Sequence, residues 1–238
     1  MLFENEGYCP ICEGSARFIA EQAWLRDHYV CGKCQSIPRQ RALVWVLNLL
    51  RPDWKEAVIH ESSPTLWFFR ERCPRYSFSY YFEDVKPGTS RNGARCENLE
   101  QLTFSDESFD VFISQDVLEH VFSPERALAE IMRVLKTGGV HIFTTPKHKD
   151  LLQSRQRARF EQGRVIEMAE PMYHGNPISE KGSLVTWDYG VDFVELAERW
   201  IGYQTSVYIL HDRRLGIEGE FMDVFVTVKD KANAIDNG

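Results

Sequence analysis

Residues 109–146 read FDVFISQDVLEHVFSPERALAEIMRVLKTGGVHIFTTP, and this stretch decides the architecture. Val111-Phe112-Ile113 is an apolar run of strand length flanked by polar residues. Ser123-Pro124-Glu125 then carries the marks of a helix start: a capping residue, a first-turn proline and an early acid. Ala127, Leu128, Ile131, Val134 and Leu135 follow at the spacing of a helix with one buried face. Lys136 suits a helix C-terminus, Gly138-Gly139 can end the helix, and Val140 to Thr144 is a second β-rich run. Strand, loop, helix, glycine stop and strand make a βαβ unit, whose strands are parallel neighbours.

The words themselves carry more. FDVFISQDVLEHV followed by a helix and RVLKTGGVHIFTTP resembles the middle of class I S-adenosylmethionine-dependent methyltransferases, most closely those acting on small molecules. The resemblance implies an α/β fold with a Rossmann-like, seven-stranded and mostly parallel sheet, closed by an antiparallel hairpin. Ser206 to Leu210 and Phe221 to Val228 are the two strands expected for that hairpin, and Val191 to Ile201 a helix stopped by Gly202.

Composition agrees with one large globular domain carrying a small appendage: 238 residues, 43% hydrophobic and 26% charged. No apolar run reaches the roughly 20 residues a membrane span needs, and MLFENEGYC does not read as a signal peptide, so a cytoplasmic setting is expected. With 28 basic against 35 acidic residues, net −7, the chain has no general attraction for nucleic acid.

Cys9-Pro-Ile-Cys12 and Cys31-Gly-Lys-Cys34 are two C-x2-C knuckles separated by 18 residues, the spacing of a four-cysteine zinc ribbon. Four thiolates leave a metal no open position, so the expected zinc is structural. Cys73 and Cys96 are single and read as packed small side chains. Residues 1–50 balance Arg17, Arg26, Lys33, Arg39 and Arg41 against Glu4, Glu6, Glu13, Glu21 and Asp27. A ribbon that carries no surplus of positive charge reads as a lid or packing module rather than a phosphate-binding one.

Pro38 begins a helix ending before Pro52, and Ala57-Val58-Ile59 is the expected first sheet strand. A glycine-rich turn should follow, letting backbone approach the cofactor. Instead the sequence has His60-Glu61-Ser62-Ser63-Pro64. Ribbon, SxPRxR, helix and a histidine-containing, glycine-poor loop together resemble a subgroup of bacterial zinc-ribbon methyltransferases. Glu61, Ser62 and Ser63 are the candidates for the methionine end of the cofactor. Arg39 and Arg41 are read either as partners of its carboxylate or as solvated helix-start charges.

Tyr76 to Phe82 reads as the second strand, ending in Glu83-Asp84. In the family an acid here accepts hydrogen bonds from the ribose hydroxyls, and both residues are candidates. The segment Cys96 to Asp106 resembles the family's D-A-x-x-L-P-F-x-D, which places Asn98 and Leu99 at the adenine. Ser114, Gln115 and Asp116 fall at the carboxyl end of the next strand, where open α/β sheets bind ligands. Lys147, Lys149, Arg155, Arg157, Arg159 and Arg164 outnumber Asp150 and Glu161 in a basic patch, read as a solvated face or as cover for an anionic acceptor. Tyr173-His174-Gly-Asn176-Pro177 reads as a polar loop. His120, Tyr173 and His174 are the candidate catalytic bases.

The resulting expectation is a zinc-ribbon module at 1–37, a class I methyltransferase domain at 38–230 and a flexible tail at 231–238. Methyl transfer from S-adenosylmethionine to a small, possibly anionic acceptor is the expected activity. The alternatives are an RNA or DNA methyltransferase that binds through its ribbon, and a non-catalytic cofactor-binding or interaction module.

Overall fold

A computed structural model describes residues 1–65, 68–176 and 178–230; the expected tail at 231–238 and Pro177 lie outside the described residues. Strands β1 (Phe3–Cys9), β2 (Gly14–Ala20) and β3 (Tyr29–Cys31) form a small antiparallel sheet, with the single helical turn α1 (Leu25–His28) before β3. Helix α2 (Pro38–Leu50) leads to β4 (Ile59–Ser62), α3 (Phe68–Arg72) and β5 (Tyr76–Tyr80). A short hairpin, β6 (Ser90–Arg91) and β7 (Ala94–Cys96), precedes β8 (Phe109–Gln115), α4 (Pro124–Val134) and β9 (Leu135–Thr144).

An insertion of three small antiparallel pairs follows. Strand β10 (Arg155–Gln156) precedes the pair β11 (Ala158–Glu161) with β12 (Arg164–Glu167) and the pair β13 (Tyr173–Asn176) with β14 (Ser179–Leu184); β15 (Trp187–Asp188) then returns to pair with β10. Helix α5 (Phe193–Ile201), β16 (Thr205–Tyr208) and β17 (Val224–Val228) complete the domain.

The main sheet runs β16-β17-β9-β8-β4-β5-β7-β6. Strands β7, β5, β4, β8 and β9 are parallel, and β17 is antiparallel to both of its neighbours. The expected seven strands are present, with β6 an added two-residue edge. From β4 the chain moves outward through β5 and β7, then returns to β8 on the other side. The carboxyl ends of β4 and β8 therefore flank a topological switch point, where such sheets form a crevice.

Strand alternation sorts the core to two faces. Val111 and Ile113 of β8 join Ile59, Ile142 and Val224 beneath Leu43 and Leu47 of α2. Phe112, Phe143 and Phe225 face the other way, against Leu128 and Ile131 of α4 and Phe193 of α5. Helix α5 ends as its glycine predicts, with Gly202 left-handed at φ 71. The segment containing Tyr173 and His174 is a hairpin, not a loop, because β13 finds a partner in β14.

The first strand lies later than Ala57–Ile59, and the second stops at Tyr80 rather than Phe82. Polar residues enter β4 because neighbouring strands satisfy them. The His60 ring lies 2.9 and 3.0 Å from the Ser77 and Ser79 hydroxyls. Glu61 accepts from the Tyr76 hydroxyl at 2.7 Å and from Gln115 Nε2 at 2.9 Å. Paired in this way, both can occupy a fully buried strand.

The cysteine ribbon shares the core of the α2 face, through Phe18 and Tyr29. Arg41 locks it there. Its side chain is fully buried, donates to the carbonyls of Tyr29 at 2.6 Å, Gly216 at 3.0 Å and Ser36, and lies 4.8 Å from the Phe18 ring centre. Arg41 is thus neither a solvated charge nor a cofactor ligand, because backbone carbonyls from three segments consume its donors. Gly7 is needed at the same seam, since a Cβ there would meet the Arg214 carbonyl oxygen at 2.1 Å. Among the described residues no helix is long and apolar enough to cross a membrane.

Replacing Arg41 with Met should strand these carbonyls and cost on the order of 3 kcal/mol, read as a lower urea midpoint. A change of under about 0.5 kcal/mol, the size of an ordinary surface substitution, would contradict the clamp.

Candidate functional site

At the switch point, Ser62 is the last, buried residue of β4, and Ser63 turns the chain in the left-handed region at φ 54. The Ser63 N–H donates to Ser79 O at 2.8 Å, and the Tyr80 hydroxyl to Pro64 O at 2.8 Å. A non-glycine residue thus makes the turn that glycine usually makes, held from both sides by β5.

Several expected cofactor residues point elsewhere. Both Glu61 oxygens are taken by Tyr76 and Gln115, and burial pushes its carboxyl up to about 7. The Ser114 hydroxyl lies 3.0 Å from His141 Nε2 on the opposite face of the sheet. Asp116 is left-handed at φ 52 and accepts from Arg26 Nη2 at 2.6 Å and Thr144 Oγ1 at 2.9 Å, with Arg39 Nε at 3.2 Å. Burial pushes its carboxyl up, but Arg39 and Arg26 outweigh that and hold it below the usual range. Arg39 is therefore an internal ion-pair partner, also 2.8 Å from Asp27, and not a free helix-start charge.

Of the two acids after β5, Asp84 is exposed and paired with Arg91 at 2.5 Å, while Glu83 precedes it in the same turn. Asn98 Oδ1 accepts from the Glu100 N–H at 2.9 Å, which uses one of its two lone pairs and leaves the other for an amine donor. Leu99 is buried beside it. Gln115 Oε1, at the end of β8, is buried and without a hydrogen-bond partner among the described residues. An orphaned acceptor at the switch point suits a bound donor such as an ammonium group.

A second cluster follows β8. The turn Leu118–His120 buries Glu119 to 2% exposure, and Thr145 Oγ1 donates to its Oε2 at 3.0 Å. Burial first, then the Asp116 charge, pushes the Glu119 carboxyl well up. Its Oε1 has no hydrogen-bond partner among the described residues and lies 3.8 Å from both His120 Nε2 and His174 Nδ1. Burial lowers the His120 ring to about 4, and the ring bonds the Leu184 carbonyl through Nδ1 at 2.8 Å. The insertion is pinned here by Thr186, whose N–H and hydroxyl donate to Glu119 O at 2.7 and 3.1 Å. Two of the three candidate bases thus meet. Tyr173 does not join them: it is 57% exposed, on the face of β13 opposite to His174.

Sequence reasoning missed Glu119 and Arg26. Glu119 had a signal, an acid set among the apolar Val117, Leu118 and Val121. Arg26 had none, because its partner Asp116 lies 90 residues away.

The basic patch is largely neutralised. Arg155 and Arg157 share Asp188 at 2.9 and 2.8 Å, Arg159 lies 3.2 Å from Glu161, and Lys147 lies 2.7 Å from Asp223. The charge argument for an anionic acceptor falls with these pairs. In the ribbon, the four cysteine sulfurs lie within 4.8 Å of one another, with Cys9–Cys34 at 3.8 Å and Cys12–Cys31 at 3.7 Å. Tetrahedral zinc with Zn–S bonds of about 2.3 Å requires sulfur separations of roughly 3.8 Å, so the donor set fits the metal. Cys73 and Cys96 are buried in the fold as expected.

A family model described as a methyltransferase domain matches residues 78–143, from within β5 to near the end of β9. The sarcosine/dimethylglycine N-methyltransferase of Aphanothece halophytica is 40% identical over 53 residues, which cover 22% of this chain and 19% of that protein. The chain thus matches about a fifth of the length of this curated relative. Among solved structures, an S-adenosylmethionine-dependent methyltransferase from Mesorhizobium loti aligns over 79% of this chain and 97% of its own, at TM-score 0.50 and 16% identity. An amino pentose methyltransferase from Micromonospora echinaspora aligns over 82% of this chain and 92% of its own, at TM-score 0.51 and 12% identity. At these identities the likeness is one of fold: the chain has the Rossmann-like fold of class I methyltransferases.

Glu61 offers a check on the buried network. A carboxyl raised in the folded state from an ordinary 4.5 to about 7 adds stability at acid pH that is lost as pH rises toward 7 and above. Glu61→Gln should therefore flatten this decline and raise stability at pH 8 by on the order of 2 kcal/mol in denaturant titrations. Parallel stability–pH curves for the two proteins would contradict the assignment.

Proposed function

We propose that this protein transfers a methyl group from S-adenosylmethionine to a small-molecule acceptor. The observation that carries the reading is the methyltransferase-domain match at 78–143 within a sheet of this order, its switch point bounded by β4 and β8. The hydroxyls of Ser62 and Ser63 and the orphaned Gln115 Oε1 would hold the methionine end. Glu83 would bind the ribose hydroxyls, since Asp84 is committed to Arg91. Asn98 and Leu99 would flank the adenine. Bound there, the cofactor supplies a methyl group made electrophilic by its sulfonium. The protein's own contribution is alignment of the acceptor for in-line attack, with water kept out by the insertion pinned at Thr186. Glu119, His120 and His174 line the acceptor side.

A small acceptor is favoured by the relatives. By their names, the Aphanothece protein acts on sarcosine and dimethylglycine and the Micromonospora protein on an amino pentose, all small molecules. The fit of the four cysteine sulfurs to one tetrahedral ion favours a structural zinc in the ribbon.

Calorimetry should show S-adenosylhomocysteine binding, weakened about tenfold to a hundredfold by Glu83→Ala through loss of a charge-assisted hydrogen bond. An Asp84→Ala variant should bind nearly as well as the parent protein. Equal affinity in all three would refute the ribose assignment, and no binding would refute the cofactor.

Metal analysis of freshly purified, reduced protein should find one zinc bound through Cys9, Cys12, Cys31 and Cys34, lost in Cys31→Ser with destabilisation of the ribbon. Zinc-free protein of unchanged stability would refute the structural role.

A further inference from the structure

We propose that Glu119, His120 and His174 form a second metal site, for a divalent first-row transition ion, separate from the four cysteines. The three donor atoms lie within 4.8 Å of one another, with Glu119 Oε1 at 3.8 Å from each imidazole nitrogen. Ligands about 2.0–2.1 Å from a tetrahedral ion stand roughly 3.3–3.5 Å apart. The two carboxylate–imidazole separations thus need to close by a few tenths of an ångström around an ion, and the two imidazole donors lie within 4.8 Å of each other. Without an ion, 3.8 Å is too long for a hydrogen bond, and neither contact is one.

Two further observations point to a ligand. Glu119 is 2% exposed, yet its Oε1 is unpartnered among the described residues while Oε2 is fixed by the Thr145 hydroxyl. A buried carboxyl oriented by one oxygen and left empty at the other presents an unsatisfied polar atom that a bound cation would take up. The His120 ring is set in the same way. Its Nδ1 is bonded to the Leu184 carbonyl at 2.8 Å, so Nδ1 carries the proton and Nε2 turns a lone pair toward Glu119. A ring N–H anchored on a backbone carbonyl is the usual support of a metal-binding histidine.

Two imidazoles and one carboxylate suit Zn²⁺, Fe²⁺, Co²⁺ or Mn²⁺, and three protein ligands leave coordination positions open. His174, the most exposed of the three, comes from the insertion, so the site spans the sheet edge and its cover. On the methyl-transfer reading, an oxygen or nitrogen donor of the acceptor would fill an open position and be oriented there. That role rests on the proposed function; the metal site does not.

The test is titration of the full-length protein, carrying one zinc per chain, with Co²⁺, followed by absorption and metal analysis. The site predicts one cobalt per chain, with weak ligand-field bands and none of the intense thiolate charge transfer that cobalt in the cysteine site would give. His174→Ala, at a half-exposed position, and Glu119→Gln should each weaken cobalt binding at least tenfold while zinc content and circular dichroism stay unchanged. No cobalt uptake, uptake only with thiolate bands, or parent-like affinity in both variants would overturn the proposal. Calorimetry with S-adenosylhomocysteine on the same samples separates the two readings. Cofactor binding without cobalt uptake removes the metal site alone, whereas cobalt uptake without cofactor binding supports the site and removes its role in methyl transfer.

Discussion

The Asp116 carboxylate, held by Arg26 and Arg39, is the contact on which the ligand edge depends. It joins three parts of the chain: the turn after β2, the start of α2 and the end of β8. All three side chains are largely buried, so removal of Asp116 would leave two buried arginines with only Asp27 between them, at a cost of about 3–5 kcal/mol. Such a contact does more to specify position than to add net stability. It fixes the cysteine ribbon against the carboxyl edge of the sheet and holds Asp116 left-handed, which sets the course of the chain into Leu118–His120. Glu119 and His120 are placed by that course. The ribbon is thereby a wall of the site as well as a packing module.

A consistent exchange of glycine and free acid for paired polar side chains runs along the centre of the sheet. His60, Glu61, Ser114 and His141 are all fully buried in strands that usually carry apolar residues. Each is hydrogen-bonded to a neighbour on the adjoining strand, and His60 is also enclosed by the rings of Phe104, Phe109 and Phe112. Buried polar pairs of this kind define register sharply. The turn at Ser63 then needs no glycine, because Ser79 and Tyr80 of β5 hold it from the side.

Much of the fold was legible in the chain. The βαβ unit at 109–146, the helix from Pro38, the closing hairpin and the paired cysteine knuckles all depend on local periodicity and spacing, and all were found. Helix α4, however, ends at Val134, and Leu135 to Gly139 belong to β9 rather than to a glycine-stopped helix end. Strand ends were less legible. Periodicity placed β4 too early, because it treats His60 and Glu61 as loop formers, whereas partners distant in sequence make them strand residues. The site was legible in part. His120 and His174 meet as candidates, but Glu61, Ser114, Asp116 and Arg41 spend their polar atoms inside the fold. Those pairings bridge segments far apart in the chain, and no spacing rule reports them. Arg155 and Arg157 are the same lesson: their acid, Asp188, becomes a partner only when β15 returns to pair with β10.

The central claim is that S-adenosylmethionine binds at the carboxyl edge of β4, β5 and β8. Hydrogen exchange with and without S-adenosylhomocysteine tests it most directly, because ordering of a ligand edge slows its backbone amides. The account predicts added protection in peptides covering 62–65, 81–84, 97–99 and 114–117, with the ribbon strands unchanged. Protection confined to the insertion or the ribbon, or none at saturating ligand, would contradict it.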